Sequence, residues 1–197
     1  EWMPEFHKTG AKLFVQLTAG FGRSFTISEM MEMLYTNPVL NVLSKPFMNL
    51  DKITASASPS PNRWSDKVPS REMTKKEIEY MIYAFAESAK LLKEAGVDGV
   101  EIHAVHEGYL LDQFTLKYVN KRTDEYGGDL DSRLRLTLEV IEDIRNKCGR
   151  DFIIDVRISG DEYSAGGLTV NDQIYVSKQL EKAGVDFIHV SGGNTIK

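Results

Sequence analysis

The sequence predicts an α/β fold whose parallel strands close into a (β/α) barrel, on three observations. First, a helix-like segment ends in glycine and an apolar strand follows at three joints: Lys93-Glu94-Ala95-Gly96-Val97-Asp98, Lys147-Cys148-Gly149-Arg150-Asp151 and Lys182-Ala183-Gly184-Val185-Asp186. This weak internal repeat of strand and helix implies parallel strands joined by crossovers. Second, alternation within each strand separates apolar from polar side chains. Third, the polar set is too regular for a doubly wound sheet, whose two faces are both covered by helices and therefore both apolar. In a barrel, inward side chains at the C-terminal strand ends form a mouth where reacting groups sit.

The elements follow in chain order. A first strand is predicted over 12–17, with Phe14 and Gln16 on one face and Leu13, Val15 and Leu17 on the other. The segment 18–73 is too long for an ordinary connection; it is expected to hold a short helix near 28–34 and then an irregular excursion rich in Ser, Pro and Asn. The clearest helix starts at Thr74, with Glu77 completing a capping box and Ile78, Met81, Ile82, Phe85, Ala89 and Leu92 forming its apolar stripe. Gly96 stops it. The next strand, 97–104, sets Glu101 and His103 opposite Val100 and Ile102. A long loop over 108–131 follows, of the kind that carries function at a barrel mouth. The second helix shows Leu134, Leu138, Ile141 and Ile144, and leads to a strand over 152–159 with Asp155 and Arg157 on one face and Ile154, Val156 and Ile158 on the other. The third helix carries Val176, Leu180 and Ala183, before a strand over 187–191 that sets His189 and Ser191 against Ile188 and Val190. Gln16, His103, Arg157 and Ser191 are thus expected to converge at the mouth.

Composition limits the function classes. The 197 residues are 42% hydrophobic and 27% charged, an ordinary globular balance. With 24 basic and 29 acidic residues the formal net charge is −5, which offers no electrostatic footprint for nucleic acid. Cys148 is the single cysteine, so no internal disulfide and no multi-thiolate metal or iron–sulfur centre can form within these residues. A reducing compartment fits, no apolar stretch approaches the ~20 residues of a membrane span, and no leader pattern opens the chain; the expectation is a soluble, cytoplasmic protein without a membrane partner. A homo-oligomer is compatible with the sequence.

The sharpest local feature is Glu101-Ile102-His103-Ala104-Val105-His106-Glu107-Gly108-Tyr109 at a strand end. Two imidazoles three positions apart there can donate hydrogen bonds to one carbonyl or anionic oxygen, with Tyr109 able to give a proton nearby. The same residues also read as ordinary loop histidines, or as metal ligands together with Glu101 or Glu107. Arg157, aimed inwards, requires an anionic partner: Glu101 or Asp155 in a structural pair, or a ligand. Gln16 offers a donor and an acceptor to an imide-like edge. Asn120-Lys121-Arg122-Thr123-Asp124-Glu125-Tyr126-Gly127-Gly128 reads as a loop held by its own ion pairs.

Together, Phe14-Val15-Gln16-Leu17, Pro61-Asn62-Arg63-Trp64, the run from His103 to Phe114, Asn120 to Gly128 and Val156-Arg157 resemble the Old Yellow Enzyme family of NADH:flavin oxidoreductases. The similarity is strongest to its 2-enoate reductase and bile-acid-dehydroxylation branch, in which a residue such as Glu107 stands between the second histidine and Gly-Tyr. The family's Ser-x-x-Asn-Arg is replaced by Asp129-Leu130-Asp131-Ser132-Arg133, a loop read as structural. The resemblance implies a (β/α)8 TIM barrel that binds FMN. It implies that Gln16 and Arg157 bind the flavin, that His103 and His106 grip the substrate carbonyl, and that Tyr109 donates the proton; a phenol stays protonated at neutral pH, as a general acid must.

It further implies an FMN-dependent ene-reductase, taking electrons from NAD(P)H and reducing an activated C=C bond of an enoate, enone or dienoyl-CoA. No metal is implied. A barrel of this type takes ~250 residues, so 1–197 is expected to be a single FMN-binding barrel domain truncated at both ends and covering about strands 3 to 6. FAD and a 4Fe–4S cluster, which larger members carry, would lie outside this segment. Two other readings stand beside it: a metal-dependent barrel lyase or hydrolase using His103 and His106, and a non-catalytic flavin-site fragment.

Overall fold

The computed structural model describes residues 2–105 and 108–192. Along the chain run α1 (Met3–His7), β1 (Phe14–Leu17), a 3₁₀ turn (Gly22–Ser24), α2 (Glu29–Thr36), α3 (Pro38–Ser44), α4 (Leu50–Ile53), α5 (Lys75–Glu94), β2 (Gly99–His103), α6 (Leu110–Thr115), α7 (Leu130–Cys148), β3 (Ile153–Ser159), α8 (Val170–Lys182) and β4 (Phe187–Ser191). The strands form one parallel sheet in the order β1-β2-β3-β4. Neighbours in space are neighbours in sequence, as in a barrel; a doubly wound sheet reverses its order at a switch point.

Local chemistry sets the helix ends. Thr74 accepts from the Glu77 amide while Glu77 accepts from the Thr74 amide, completing the predicted capping box of α5. Thr169 and Asp172 form a second box that opens α8. Asp129 caps α7 by accepting from Ser132 N. Ser28 caps α2, which covers the expected 28–34 helix. Asn37 then ends α2 and starts α3, its side chain accepting from Val39 N and Leu40 N with Pro38 in the first turn. The sequence reading did not anticipate α1, α3, α4 or α6.

Strand limits are tighter than the apolar runs suggested. β2 begins after Asp98, whose carboxylate accepts from Leu13 N and Lys12 Nζ and bonds the His7 ring. Those contacts, Lys12 first, hold it well below the usual carboxylate range. At Gly99 no side chain fits, since a Cβ would lie 2.5 Å from Ile153 O and 2.7 Å from the Phe14 ring.

The two sheet faces differ as predicted. Val100, Ile102, Ile154, Val156 and Ile158 are buried against Ile78 and Phe85 of α5, Leu134, Ile141 and Ile144 of α7, and Val176 and Leu180 of α8. Fully burying each such side chain contributes about 1.5–3 kcal/mol before entropy is counted. The opposite face carries Gln16, Glu101, Asp155 and Arg157, none of them fully buried. No helix among the described residues is long and apolar enough to cross a membrane.

Candidate functional site

The polar face concentrates the singled-out residues at the C-terminal strand ends. By register, Gln16 of β1 sits beside Glu101 of β2, which sits beside Asp155 of β3. One step nearer the mouth, His103 sits beside Arg157, and Arg157 beside His189 of β4. Gln16 and Arg157 therefore lie in adjacent rows on one face, while Ser191 pairs with Ser159 in the row above.

Arg157 tests the ion-pair reading directly. Its Nε donates to Ser191 Oγ at 3.1 Å, and among the described residues no carboxylate lies within ion-pair distance. Glu101, one of the two carboxylates considered beside a ligand as its partner, is engaged elsewhere: Gln16 Nε2 donates to its Oε1, and His189 Nδ1 donates to its Oε2 at 2.7 Å. Burial raises the Glu101 pKa, but bonds from His189, Gln16 and Asp155 outweigh it and leave the carboxyl below its ordinary value. Asp155 moves the other way, pushed up to about 6 by burial, by its hydrogen bond to Glu101 and by that group's charge. A donor-only guanidinium without a carboxylate, on the same sheet face as an amide one row below it and two strands away, suits an electron-rich ring edge that also bears an N–H, such as the pyrimidine edge of a flavin. The residues present fit that group.

Tyr109 stands at the N-terminal end of α6, where its ring meets that of the buried His103, centroids 4.3 Å apart and planes tilted by 50°. Phe21 contacts the same phenol ring at 5.1 Å. His106 lies outside the described residues, so the expected pairing with His103 is not placed. Gln113 and Asp112, both fully buried, fix this corner. Gln113 Oε1 accepts from Ser56 Oγ at 2.7 Å and from Arg23 N at 3.1 Å, while its Nε2 donates to Phe21 O at 2.8 Å and Gly108 O at 2.5 Å. Asp112 Oδ2 accepts from Gly108 N at 2.6 Å. Ser24 Oγ adds a bond to Gly108 O, and Trp64 Nε1 donates to Ser24 O. The Pro61–Trp64 segment and the 3₁₀ turn thus brace the loop that presents Tyr109.

Sequence reasoning gave Gln113 no role. Its signal was an amide inside the apolar run Leu110-Leu111-Asp112-Gln113-Phe114, which a buried helix can carry only if every amide atom is satisfied. Glu101 was considered as a metal ligand or a partner of Arg157, and His189 only as a polar strand residue; the bond between the two was not foreseen.

The 120–128 loop is structural, as expected. Arg122 forms a bidentate pair with Asp124 and donates to Ala57 O and Met73 O. Asn120 Nδ2 donates to Phe114 O and Tyr126 O. Arg133 is buried and donates to Thr115 O and Gly128 O, which fits the structural reading of 129–133.

Among the described residues, the one group of acids and histidines close enough to share a cation is Glu101, Asp155 and His189. His103 is not part of it, and Glu101 already bonds its neighbours. Two clefts, of about 660 and 540 Å³, flank β4 with α8 and β1 with α5. They lie along the apolar side of the outer strands. A smaller one, about 280 Å³, opens on the polar face over Phe14, Asp155 and His189.

Comparison with known proteins bears on the family and the fold. Cinnamate reductase of Clostridium sporogenes is 38% identical over 98% of this chain, which spans 28% of that protein. NADH oxidase of Thermoanaerobacter brockii is 36% identical over 95% of the chain and 25% of its own length. The chain therefore spans about a quarter of these relatives. A 2-naphthoyl-CoA reductase complexed with 2-naphthoyl-CoA superposes with a TM-score of 0.68 and 32% identity, over 73% of this chain and 22% of that one. An old yellow enzyme homologue from Zymomonas mobilis superposes with a TM-score of 0.71 over 97% of this chain and 50% of that one; at 24% identity it shows the shared barrel fold alone. The family model for NADH:flavin oxidoreductases and NADH oxidases matches residues 2–197, so the chain belongs to the NADH:flavin oxidoreductase / NADH oxidase family.

Proposed function

We propose that this chain is the flavin- and substrate-facing part of an FMN-dependent ene-reductase barrel, a single FMN-binding domain that reduces an activated C=C bond with electrons from NAD(P)H. The observation that carries this is the placing of Gln16, Arg157 and His103 on one sheet face with the Tyr109 ring against His103. Similarity to a cinnamate reductase and to a reductase complexed with an aromatic acyl-CoA supports a conjugated acid or thioester as substrate.

FMN, when bound, supplies hydride chemistry. The residues of this chain do the rest. Arg157 offers positive charge to the electron-rich pyrimidine edge, at full strength because no carboxylate among the described residues pairs with it. Gln16 binds the same edge through its amide. His103 and His106 hold the substrate carbonyl oxygen and draw electron density from the alkene. Tyr109 delivers a proton from Oη to the carbon beside that carbonyl, and its ring is held against His103 so that both groups address one substrate. The purified full-length protein, titrated anaerobically with NADH and then with cinnamate or an enone, should bleach its flavin absorbance and recover it on adding the alkene. A protein without flavin, or one that no such alkene reoxidises, refutes the reading.

A further inference from the structure

Below the mouth, on the polar face, four side chains form a continuous set that the reaction just described does not use in full: Gln16, Glu101, Asp155 and His189. Glu101 sits at its centre. One carboxylate oxygen receives Gln16 Nε2 and the other receives His189 Nδ1 at 2.7 Å. Asp155 lies alongside, with one ligand atom from each of Glu101, Asp155 and His189 within 4.8 Å of the others.

Relying on the flavin-binding reading above, we propose that Glu101 is a positioning residue: by accepting from Gln16 Nε2 it dictates which end of the Gln16 amide faces the mouth, and so presents Oε1 as an acceptor to the N3–H of the flavin.

A free glutamine amide has two nearly isosteric orientations, one offering two N–H donors and the other a carbonyl acceptor. An ionised carboxylate accepts only, so the orientation that turns Oε1 towards Glu101 would set two acceptors face to face. Bonds from His189 and Gln16 outweigh burial and favour the ionised form of Glu101. His189 from β4 anchors the carboxylate from the far side, so the group cannot swing away from Gln16 without losing that bond. The result complements Arg157 one row above. Arg157 can only donate, which matches the flavin's N1 and carbonyl oxygens; with Gln16 Nε2 turned to Glu101, Gln16 Oε1 supplies the acceptor that N3–H requires. A glutamine held by no acceptor would offer a mixture of orientations, of which one repels N3–H.

The test is FMN affinity of the full-length protein, after removal of its flavin, measured by fluorescence quenching in a double-mutant cycle. Glu101→Gln keeps the size of the side chain but lets it donate as well as accept, which releases the amide orientation. It should weaken FMN binding about tenfold, the equivalent of about 1.4 kcal/mol or one hydrogen bond, and shift the flavin absorbance bands to where Gln16→Ala shifts them. In a Gln16→Ala background the same change should alter affinity by less than about twofold, because Glu101 then has nothing to orient. Unchanged affinity in Glu101→Gln, or an undiminished effect in the Gln16→Ala background, overturns the proposal while leaving the flavin reading intact. A wild-type protein that binds no FMN overturns both. The unmutated protein gives a second readout that does not depend on any variant folding: N3-methyl-FMN, which lacks the N–H, should bind at least tenfold more weakly than FMN, and equal binding overturns the proposal.

Discussion

Gln113→Leu separates the scaffold of the site from its chemistry. Leucine nearly matches glutamine in volume, so packing in α6 is largely kept while four hydrogen bonds vanish: those from Ser56 Oγ and Arg23 N, and those to Phe21 O and Gly108 O. Gln113 is fully buried, so its own atoms have no recourse to water; its backbone partners are part-buried and recover some of the loss. At about 1 kcal/mol for each bond, and with some solvent rescue, the expected destabilisation is roughly 3 kcal/mol. For a unit of this size that corresponds to a fall of ~6–12 °C in Tm. The damage should be local first, because Gly108 and Phe21 are the backbone groups that hold the Tyr109 loop. Thermal unfolding gives the magnitude, and hydrogen exchange over 108–115 gives the location. A Tm within ~2 °C of wild type, with unchanged exchange at Gly108, would refute the bracing role.

Three further outcomes follow from the geometry. Asp155 titrates near 6 in the fold against a usual value of 3.8, so the native state holds its proton more tightly than the unfolded chain, and stability falls as pH rises from about 4 to about 6. Asp155→Asn should therefore raise Tm relative to wild type above pH 6 and bring little gain near pH 4; an equal difference at both pH values contradicts the assignment. At Gly127 a Cβ would lie 2.1 Å from Arg122 O, so Gly127→Ala must displace the loop backbone and should lower the denaturation midpoint by the equivalent of about 1–3 kcal/mol. Arg122→Lys keeps the charge but loses the bidentate bond to Asp124 together with the reach to Ala57 O and Met73 O, and should destabilise by a similar amount rather than be neutral.

Much of the fold was legible because its signals are local. The capping box at Thr74 and Glu77, the glycine stops at 96, 149 and 184, and the alternation in Glu101-Ile102-His103 each lie within a few residues, and each appears in the structure where the sequence put it. Helix α6 was not legible, since its six residues are buried on every side and give no amphipathic period. The stagger of the site was hidden as well. Alternation says that Gln16, Glu101, Asp155, Arg157 and His189 each face the polar side of their own strand, but not that Gln16 falls beside Glu101 while His103 falls beside Arg157. That offset is set by pairing between strands some 85 residues apart, which no local pattern encodes. For the same reason the partner of Arg157 stayed open between Glu101, Asp155 and a ligand until the bonds of Glu101 to Gln16 and His189 were placed.

The most direct test of Tyr109 as proton donor is the pair of half-reactions in Tyr109→Phe, followed anaerobically by stopped-flow absorbance of the flavin. The variant keeps the ring that packs on His103 and Phe21 and loses only Oη. Reduction of the flavin by NADH should proceed within about twofold of wild type, while reoxidation by the alkene should slow by about 10²–10⁴-fold, the usual worth of a positioned general acid. Equal slowing of both half-reactions, or an unchanged rate with the alkene, would contradict it.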